Sequence, residues 1–153
     1  IVRRRQQGNP VVTTEDLEAC VSAAVGAAKN AGGRNSATRV FQALRIAANN
    51  ELQHVERMLT NVLPNIMKTD GIVVILTFHS LEDRIVKQYM QGLSKVSVPR
   101  GLPLTENQMP KPQAELLGRI KPSEQEVQEN PRARSAILRV MRKIKSTSMV
   151  ASS

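Results

Sequence analysis

The sequence predicts an α/β fold, and three observations support that prediction. Residues 72–78 read Ile-Val-Val-Ile-Leu-Thr-Phe, a nearly wholly apolar run that is typical of a buried strand. Before it, from residues 13 and 35 onward, apolar side chains recur at the three- and four-residue spacing of amphipathic helices. Directly after it, Glu82 and Asp83 lie where the first turn of another helix favours acidic side chains. Helices on both sides of such a strand indicate an α/β domain.

The length and the charge of the chain suggest a domain that binds a polyanion. The 153 residues suit one domain or a large part of one, and the start at Ile1 rather than Met predicts a piece of a longer protein. The formal net charge of +9 favours a polyanionic partner, although a soluble protein with a basic surface has the same composition. Aromatic residues make up only 2%, so we expect any RNA contact to be mostly electrostatic.

Several classes of site are excluded by the sequence. One cysteine, Cys20, allows neither an internal disulfide nor a zinc site built from several cysteines. His54 and His79 form no metal-ligand motif, and the eight glycines form no phosphate-binding loop. We therefore predict no metal site and no cofactor-binding residue within this sequence. No apolar stretch reaches the length of a membrane span, so no membrane contact is expected.

Two helices are predicted before the strand. The first opens at Thr13, where Thr13 and Asp16 approximate a capping box, and should end at the two glycines of residues 32–33. The second should run unbroken from residues 35–36 to residues 64–66. Its predicted apolar stripe comprises Phe41, Leu44, Ala48, Leu52, Val55, Leu59 and Val62.

The strand at residues 72–78 has no polar side chain except that of Thr77. This is the pattern of a parallel strand covered on both faces. Ser80 is then placed to cap a helix over residues 80–91, which Gly92 should stop.

His79 and Ser80 are the candidate pocket residues. They follow the strand at its carboxyl end, which is where open α/β sheets bind ligands. The alternative is structural, with a helix cap beside a histidine whose polar atoms are paired. In that case Asp83 and Lys87 would form a surface charge pair at the i, i+4 spacing.

The remainder of the chain is less regular. Residues 94–131 hold six prolines and are predicted to form a long irregular connection. Residues 135–143 predict a late strand, placed at a sheet edge because of its charges. Arg132 and Arg134 could clamp phosphate oxygens, or could simply belong to a solvated turn before that strand.

Arg39 and Arg45 are further candidates for RNA binding. Both belong to the second predicted helix. The alternative is that their aliphatic stems shield the apolar stripe of that helix.

Three blocks of the sequence together carry a family resemblance. They are Ala-Thr-Arg-Val-Phe-Gln-Ala-Leu-Arg-Ile at residues 37–46, Phe-His-Ser-Leu-Glu-Asp-Arg-Ile-Val-Lys at residues 78–87, and Asn-Pro-Arg-Ala-Arg-Ser-Ala at residues 130–136. They resemble the RsmH/MraW family of S-adenosylmethionine-dependent rRNA methyltransferases. Their order and spacing fit the family, and together they make the resemblance highly specific.

The resemblance implies a partial Rossmann-like class I methyltransferase fold with part of an inserted helical domain. Residues 1–35 would belong to that substrate-recognition insertion. Residues 36–146 would form the carboxyl-terminal half of the catalytic domain, including the second half of its sheet, and residues 147–153 a polar tail. The implied reaction is methylation of the exocyclic N4 amine of a cytidine in small-subunit rRNA.

The resemblance also implies S-adenosylmethionine as the cofactor. The family's glycine-rich loop and acidic residue that hold it lie upstream of the three blocks and are absent from this sequence. Asn35-Ser36 and Thr77 are smaller departures from the family pattern.

An alternative function is therefore a catalytically inactive, methyltransferase-like factor in small-subunit assembly. The implied partner is small-subunit rRNA or a pre-ribosomal particle, with ribosomal proteins or another methyltransferase-like subunit as further candidates. A bacterial cytoplasm and a mitochondrial matrix both fit, and we slightly prefer the mitochondrion.

Overall fold

The computed structural model describes residues 1–25, 36–95 and 111–144. It divides into two compact units, Ile1–Glu51 and Leu52–Ser153, which we describe separately. The predicted helix end at residues 32–33 and the predicted tail lie outside the described residues. The domain boundaries implied by the family resemblance stay predictions.

The first unit is helical. Helices α1 (Val2–Gln6), α2 (Thr14–Val25) and α3 (Ser36–Asn49) are its described elements. The predicted capping box at the start of α2 is confirmed. The Asp16 N–H donates to Thr13 Oγ1 at 3.1 Å, and the Thr13 N–H donates to Asp16 Oδ2 at 3.1 Å.

A small core joins α2 to α3. Leu17 and Val21, one helical turn apart on α2, are buried together with Ala37 of α3. Cys20 of α2 is partly exposed and is not among the buried members of this core.

The described residues of the second unit combine helices with a three-stranded sheet. Its elements are α4 (Glu51–Arg57, beginning one residue before the unit), a π-helical turn (Met58–Val62), α5 (Leu63–Ile66), β1 (Ile72–Thr77), α6 (Ser80–Ser94), β2 (Ala114–Ile120), α7 (Glu124–Glu129), a 3-10 helix (Pro131–Ser135) and β3 (Ile137–Lys143). The predicted α/β class is confirmed. Helix α6 is longer than predicted, because Gly92 lies inside it instead of stopping it.

The single helix predicted up to residues 64–66 is wrong. Asn50 has a φ of 52°, a left-handed conformation that Asn tolerates better than most residues, and it separates α3 from α4. The π-helical turn then shifts the side-chain spacing again. The predicted stripe is consequently divided between buried Leu59, partly exposed Phe41, Leu52 and Val55, and exposed Leu44, Ala48 and Val62.

The strand order is β1-β3-β2, and both outer strands run antiparallel to β3. We predicted that β1 pairs with a parallel strand. That prediction is wrong for β3, the strand with which β1 pairs in the described residues. The predicted edge position of the last strand is also wrong, since β3 is central. Strands β1 and β2 are parallel to each other, with α6 in the connection between them.

One face of the sheet is covered and the other is exposed. Val73 of β1 and Met141 of β3 are paired in register and buried. Thr77 is also buried, and its hydroxyl donates to the Ile137 carbonyl at 3.2 Å. The prediction that β1 is covered on both faces is wrong for the described residues, because Ile72, Val74 and Leu76 are exposed.

The core of the second unit lies between that covered face and the helices. Its buried members are Leu59, Leu63, Val73, Val86, Met90, Ala114 and Met141. Burial of each large side chain stabilises the fold by about 1.5–3 kcal/mol before the entropy of ordering is subtracted. This packing fixes α6 against the sheet.

Strand β2 and helix α7 lie in the segment that we predicted to be irregular, so that prediction is wrong for residues 114–129. A register shift between Leu116 and Gly118 places one extra residue in β2. The bulge interrupts the alternation by which a strand is recognised. Helix α7 is capped by Ser123, whose Oγ accepts from the Glu126 N–H at 3.1 Å.

Candidate active site at the carboxyl end of strand β1

Strand β1 delivers His79 and Ser80 to the start of α6, as predicted. His79 has an extended backbone (φ −144°, ψ 159°), and its Nδ1 accepts from the Glu82 N–H at 3.3 Å. His79 is thus the N-cap and Ser80 is the first helical residue. The predicted cap at Ser80 is wrong, because the helical conformation begins one residue earlier than we placed it.

Glu82 completes this cap from the other side. Its Oε2 accepts from the Phe78 N–H at 3.1 Å, and its Oε1 lies 3.4 Å from His79 Nε2. Two backbone N–H groups at the helix start are thereby paired by local side chains, in the manner of a capping box. The position of α6 relative to β1 follows from these five consecutive residues.

The two candidate pocket residues differ in exposure. Because Nδ1 of His79 accepts a hydrogen bond, the neutral ring carries its proton on Nε2. Nε2 is buried and has no hydrogen-bond partner among the described residues, and the His79 side chain is only 11% exposed. Ser80 is exposed. A helix cap at this junction is confirmed, but His79 forms it instead of Ser80. The expectation that the polar atoms of His79 are all hydrogen-bonded is wrong for Nε2 among the described residues. A pocket-lining role for either residue stays a prediction.

Asp83 bonds to the sheet instead of to its own helix. Its carboxylate accepts from Arg139 Nε at 2.6 Å and from Arg139 Nη2 at 3.0 Å. The predicted surface pair with Lys87 is therefore wrong. The hydrogen bonds from Arg139 lower the pKa of Asp83, and the charges of Arg139, Arg119 and Lys87 act in the same direction.

Arg132 and Arg134 lie on the 3-10 helix Pro131–Ser135. Both are exposed, while Ala133 between them is buried. The Asn130 side chain accepts from the Arg132 N–H at 3.2 Å and fixes the start of this turn. The guanidinium groups are therefore accessible, as either interpretation of this turn requires, and their role in RNA binding stays a prediction.

Arg39 and Arg45 are exposed on α3 of the first unit. Arg45 donates to the two carboxylate oxygens of Glu51 at 2.8 and 3.1 Å. An RNA phosphate would have to compete with that carboxylate for Arg45, so Arg39 is the more available of the two.

The sequence reasoning missed the pairing of Asp83 with Arg139. Asp83 lies in the block at residues 78–87, and Arg139 lies three residues after the block at residues 130–136. The position of each residue in or beside a block was the only signal in the sequence for this pair. Lys87 is the last residue of the block at residues 78–87, whereas Arg119, which also lies near Asp83, belongs to no recognised motif.

The chain matches the MraW methylase family over residues 1–144. The chain belongs to the MraW methylase family. Among its relatives, it is 48% identical over 143 residues to the ribosomal RNA small subunit methyltransferase H of Polynucleobacter necessarius subsp. necessarius (strain STIR1). It is 46% identical over 143 residues to the protein of that name from Polynucleobacter asymbioticus, and each alignment covers 94% of this chain. The protein of the same name from Cupriavidus pinatubonensis is 44% identical over 151 residues.

Membership of the MraW methylase family confirms the resemblance drawn from the three sequence blocks. The chain spans less than half the length of these relatives, 44% for both Polynucleobacter proteins and 45% for the Cupriavidus protein. The relatives named above are bacterial, so the preference for a mitochondrion is not supported. Their names give no support to the inactive assembly factor either. Among the described residues, we find no helix with both the length and the apolar character that a membrane crossing requires.

Proposed function

We propose that the complete protein transfers a methyl group from S-adenosylmethionine to the N4 amine of a cytidine in small-subunit rRNA. S-adenosylhomocysteine leaves as the S–CH3 bond breaks, and the amine loses one proton to water as the N–CH3 bond forms. The observation that carries this proposal is the 48% identity, across 94% of this chain, to a protein named ribosomal RNA small subunit methyltransferase H. The net charge of +9 supports an RNA substrate, since phosphate contacts dominate the affinity of proteins for nucleic acids.

In this proposal the chain supplies the second half of a Rossmann-like sheet. Two features of the sheet support it. Strands β1 and β2 run parallel with an antiparallel strand between them, a mixture that occurs in large α/β sheets. In the described residues β1 pairs on one edge only, and its exposed face carries Ile72, Val74 and Leu76. Further strands and helices of the complete domain would cover the unpaired edge and the exposed face of β1.

The described residues at the end of β1 do not fit a cradle for the cofactor. The N–H groups of Phe78 and Glu82 would otherwise be available to an anionic group at this helix start. Both are already paired with side chains of the cap. S-adenosylmethionine supplies the methyl group in the proposal, and we assign no residue of this chain to holding it.

Ser80 is the residue that we propose contacts the substrate. Methyl transfer to an exocyclic amine depends on positioning and on a desolvated pocket. The target base must leave its stack and enter that pocket. The exposed Ser80 hydroxyl can accept a hydrogen bond from the amine and orient it. His79 and Glu82 act through Ser80, because their cap fixes where the first residue of α6 lies.

The basic side chains would hold the RNA. Arg132 and Arg134 are exposed on a turn that is anchored by buried Ala133, and paired arginines suit phosphate oxygens. Arg39 is proposed as a further contact, with Arg45 in a lesser role because of its bonds to Glu51.

The test uses the complete natural protein, labelled S-adenosylmethionine and small-subunit rRNA, both free and within ribosomal particles. We expect label in the RNA and, after digestion to nucleosides, in N4-methylcytidine. Large-subunit rRNA is the matched control and should remain unlabelled. A folded protein that labels none of the small-subunit substrates, or that labels another nucleoside, would overturn the proposal.

A further inference from the structure

A small basic cleft lies between helix α6 and strands β2 and β3. It has a volume of about 170 Å³. Its lining includes buried Met90, the apolar side chains of Leu117 and Val140, and the exposed side chains of Lys87 and Arg119. None of these residues contributes to the helix cap at His79.

The charges of this cleft are unbalanced. Arg119 and Arg139 are directly opposite each other in the antiparallel pairing of β2 with β3, an arrangement in which like charges destabilise a sheet. Asp83 neutralises Arg139 through two hydrogen bonds. In the described part of the chain, neither Arg119 nor Lys87 has a hydrogen bond or an ion pair. The nearby Asp83 carboxylate, on which both charges act, is already bonded to Arg139, so three cations share one carboxylate.

The volume of the cleft and its lysine and arginine side chains favour a phosphate group as the ligand. Pockets for drug-sized ligands measure roughly 300–1,000 Å³, so a cavity of about 170 Å³ is too small for a nucleoside cofactor but large enough for a phosphate. Arginine offers a planar fork of donors to phosphate oxygens, and lysine adds a mobile point charge. A bound phosphate would also offset the repulsion between Arg119 and Arg139.

We propose that this cleft binds a backbone phosphate of the RNA strand, through Arg119 and Lys87. This inference rests on the proposed function, since it names a contact to the same RNA substrate. The cleft and the start of α6 are built on one helix, which ties the position of the bound strand to that of Ser80.

The test is the salt dependence of RNA binding by the complete protein, wild type against a Lys87→Gln/Arg119→Gln double variant. We expect affinity for small-subunit rRNA to fall about 10-fold at low salt, and the slope of log K against log salt to decrease in magnitude by about 1. Arg84→Gln is the matched control, because Arg84 is an exposed cation on the same helix that does not line the cleft. It should bind RNA more tightly than the double variant and keep most of the slope.

The thermal midpoint shows whether weaker binding reflects unfolding. It should be equal to or above that of wild type, because the substitution removes the repulsion between Arg119 and Arg139. Unchanged RNA affinity and slope in the double variant would overturn the inference. Tight binding of inorganic phosphate to wild type, lost in the double variant without any change in RNA binding, would instead indicate a free-phosphate site and would overturn the RNA assignment.

Failure of this inference can be told apart from failure of the proposed function. A wild-type protein that binds RNA through the cleft but methylates none of it contradicts the proposed function alone. A wild-type protein that methylates the RNA, with a double variant that binds as well as wild type, contradicts the cleft alone.

Discussion

Asp83 and Arg139 join helix α6 to the central strand β3 through two parallel hydrogen bonds of 2.6 and 3.0 Å. The two residues are 56 positions apart in the chain. Both side chains are largely buried, with 13% of Asp83 and 14% of Arg139 exposed. The pair therefore fixes one position of the helix that carries Ser80 at its start.

Replacing Asp83 with Asn should destabilise the complete protein by about 2–4 kcal/mol, because a largely buried guanidinium group loses its charge partner. The measurement is the free energy of unfolding in urea at pH 7. The exposed pair of Arg142 and Glu115, 3.6 Å apart, provides the control. Glu115→Gln should change the free energy by no more than about 0.5 kcal/mol. Equal changes in the free energy of unfolding for the two substitutions would show that the buried pair stabilises the fold no more than the exposed pair.

The same pair predicts a pH dependence. Since Arg139 lowers the pKa of Asp83 in the folded state, the stabilisation by this pair is fully present above the pKa of an unperturbed aspartate, about 3.9. It is lost as the pH falls through the lower, folded-state pKa. The free-energy difference between wild type and Asp83→Asn should be constant from about pH 7 to pH 5 and shrink below about pH 4. Urea unfolding at four pH values measures it, and a difference that stays constant down to pH 2 would contradict the assignment.

His79 should act as a positioning residue whose cap can be replaced. His79→Ala removes the acceptor for the Glu82 N–H and should cost about 1 kcal/mol of stability, with a loss of methyl transfer. His79→Asn supplies a favoured capping side chain and should restore both. The measurements are thermal unfolding and the methyl-transfer rate of the complete protein. Restored stability without restored transfer would show instead that the imidazole itself takes part in the reaction.

Two glycines should respond to alanine in opposite directions. A Cβ on Gly71 would lie 2.8 Å from the Lys68 carbonyl oxygen, so Gly71→Ala should destabilise the fold by about 1–3 kcal/mol. A Cβ on Gly92, within α6, meets no atom of the described residues within 4 Å. Gly92→Ala should stabilise the fold by about 0.5–1 kcal/mol, because alanine loses less backbone entropy in a helix. Chemical unfolding of both variants checks the signs, and destabilisation by Gly92→Ala would contradict this placement of α6.

The sequence predicted best those features that depend on neighbouring residues. The Thr13–Asp16 box and the junction between β1 and α6 each involve side chains within four positions of one another. The family resemblance identified the methyltransferase family, which the spacing of residues alone did not identify.

Features that depend on distant partners were not predictable in the same way. The preference of Asp83 for Arg139 over Lys87 depends on how α6 packs against β3, and no local spacing contains that information. Strand β2 was missed because its bulge at Leu116–Gly118 breaks the alternation. The end of α3 at Asn50 was missed because the apolar pattern continues across it.

The measurement that tests the central claim most directly is the methyl-transfer rate of a Ser80→Ala variant of the complete protein on small-subunit rRNA. Ser94→Ala, at the other end of α6, is the matched control. We predict that Ser80→Ala lowers the rate constant about 10-fold or more, with thermal stability and RNA affinity unchanged, because orientation of the reacting amine is lost. Ser94→Ala should retain the wild-type rate. Transfer at the wild-type rate by Ser80→Ala would contradict the claim that the junction of β1 and α6 lines the methyl-transfer site.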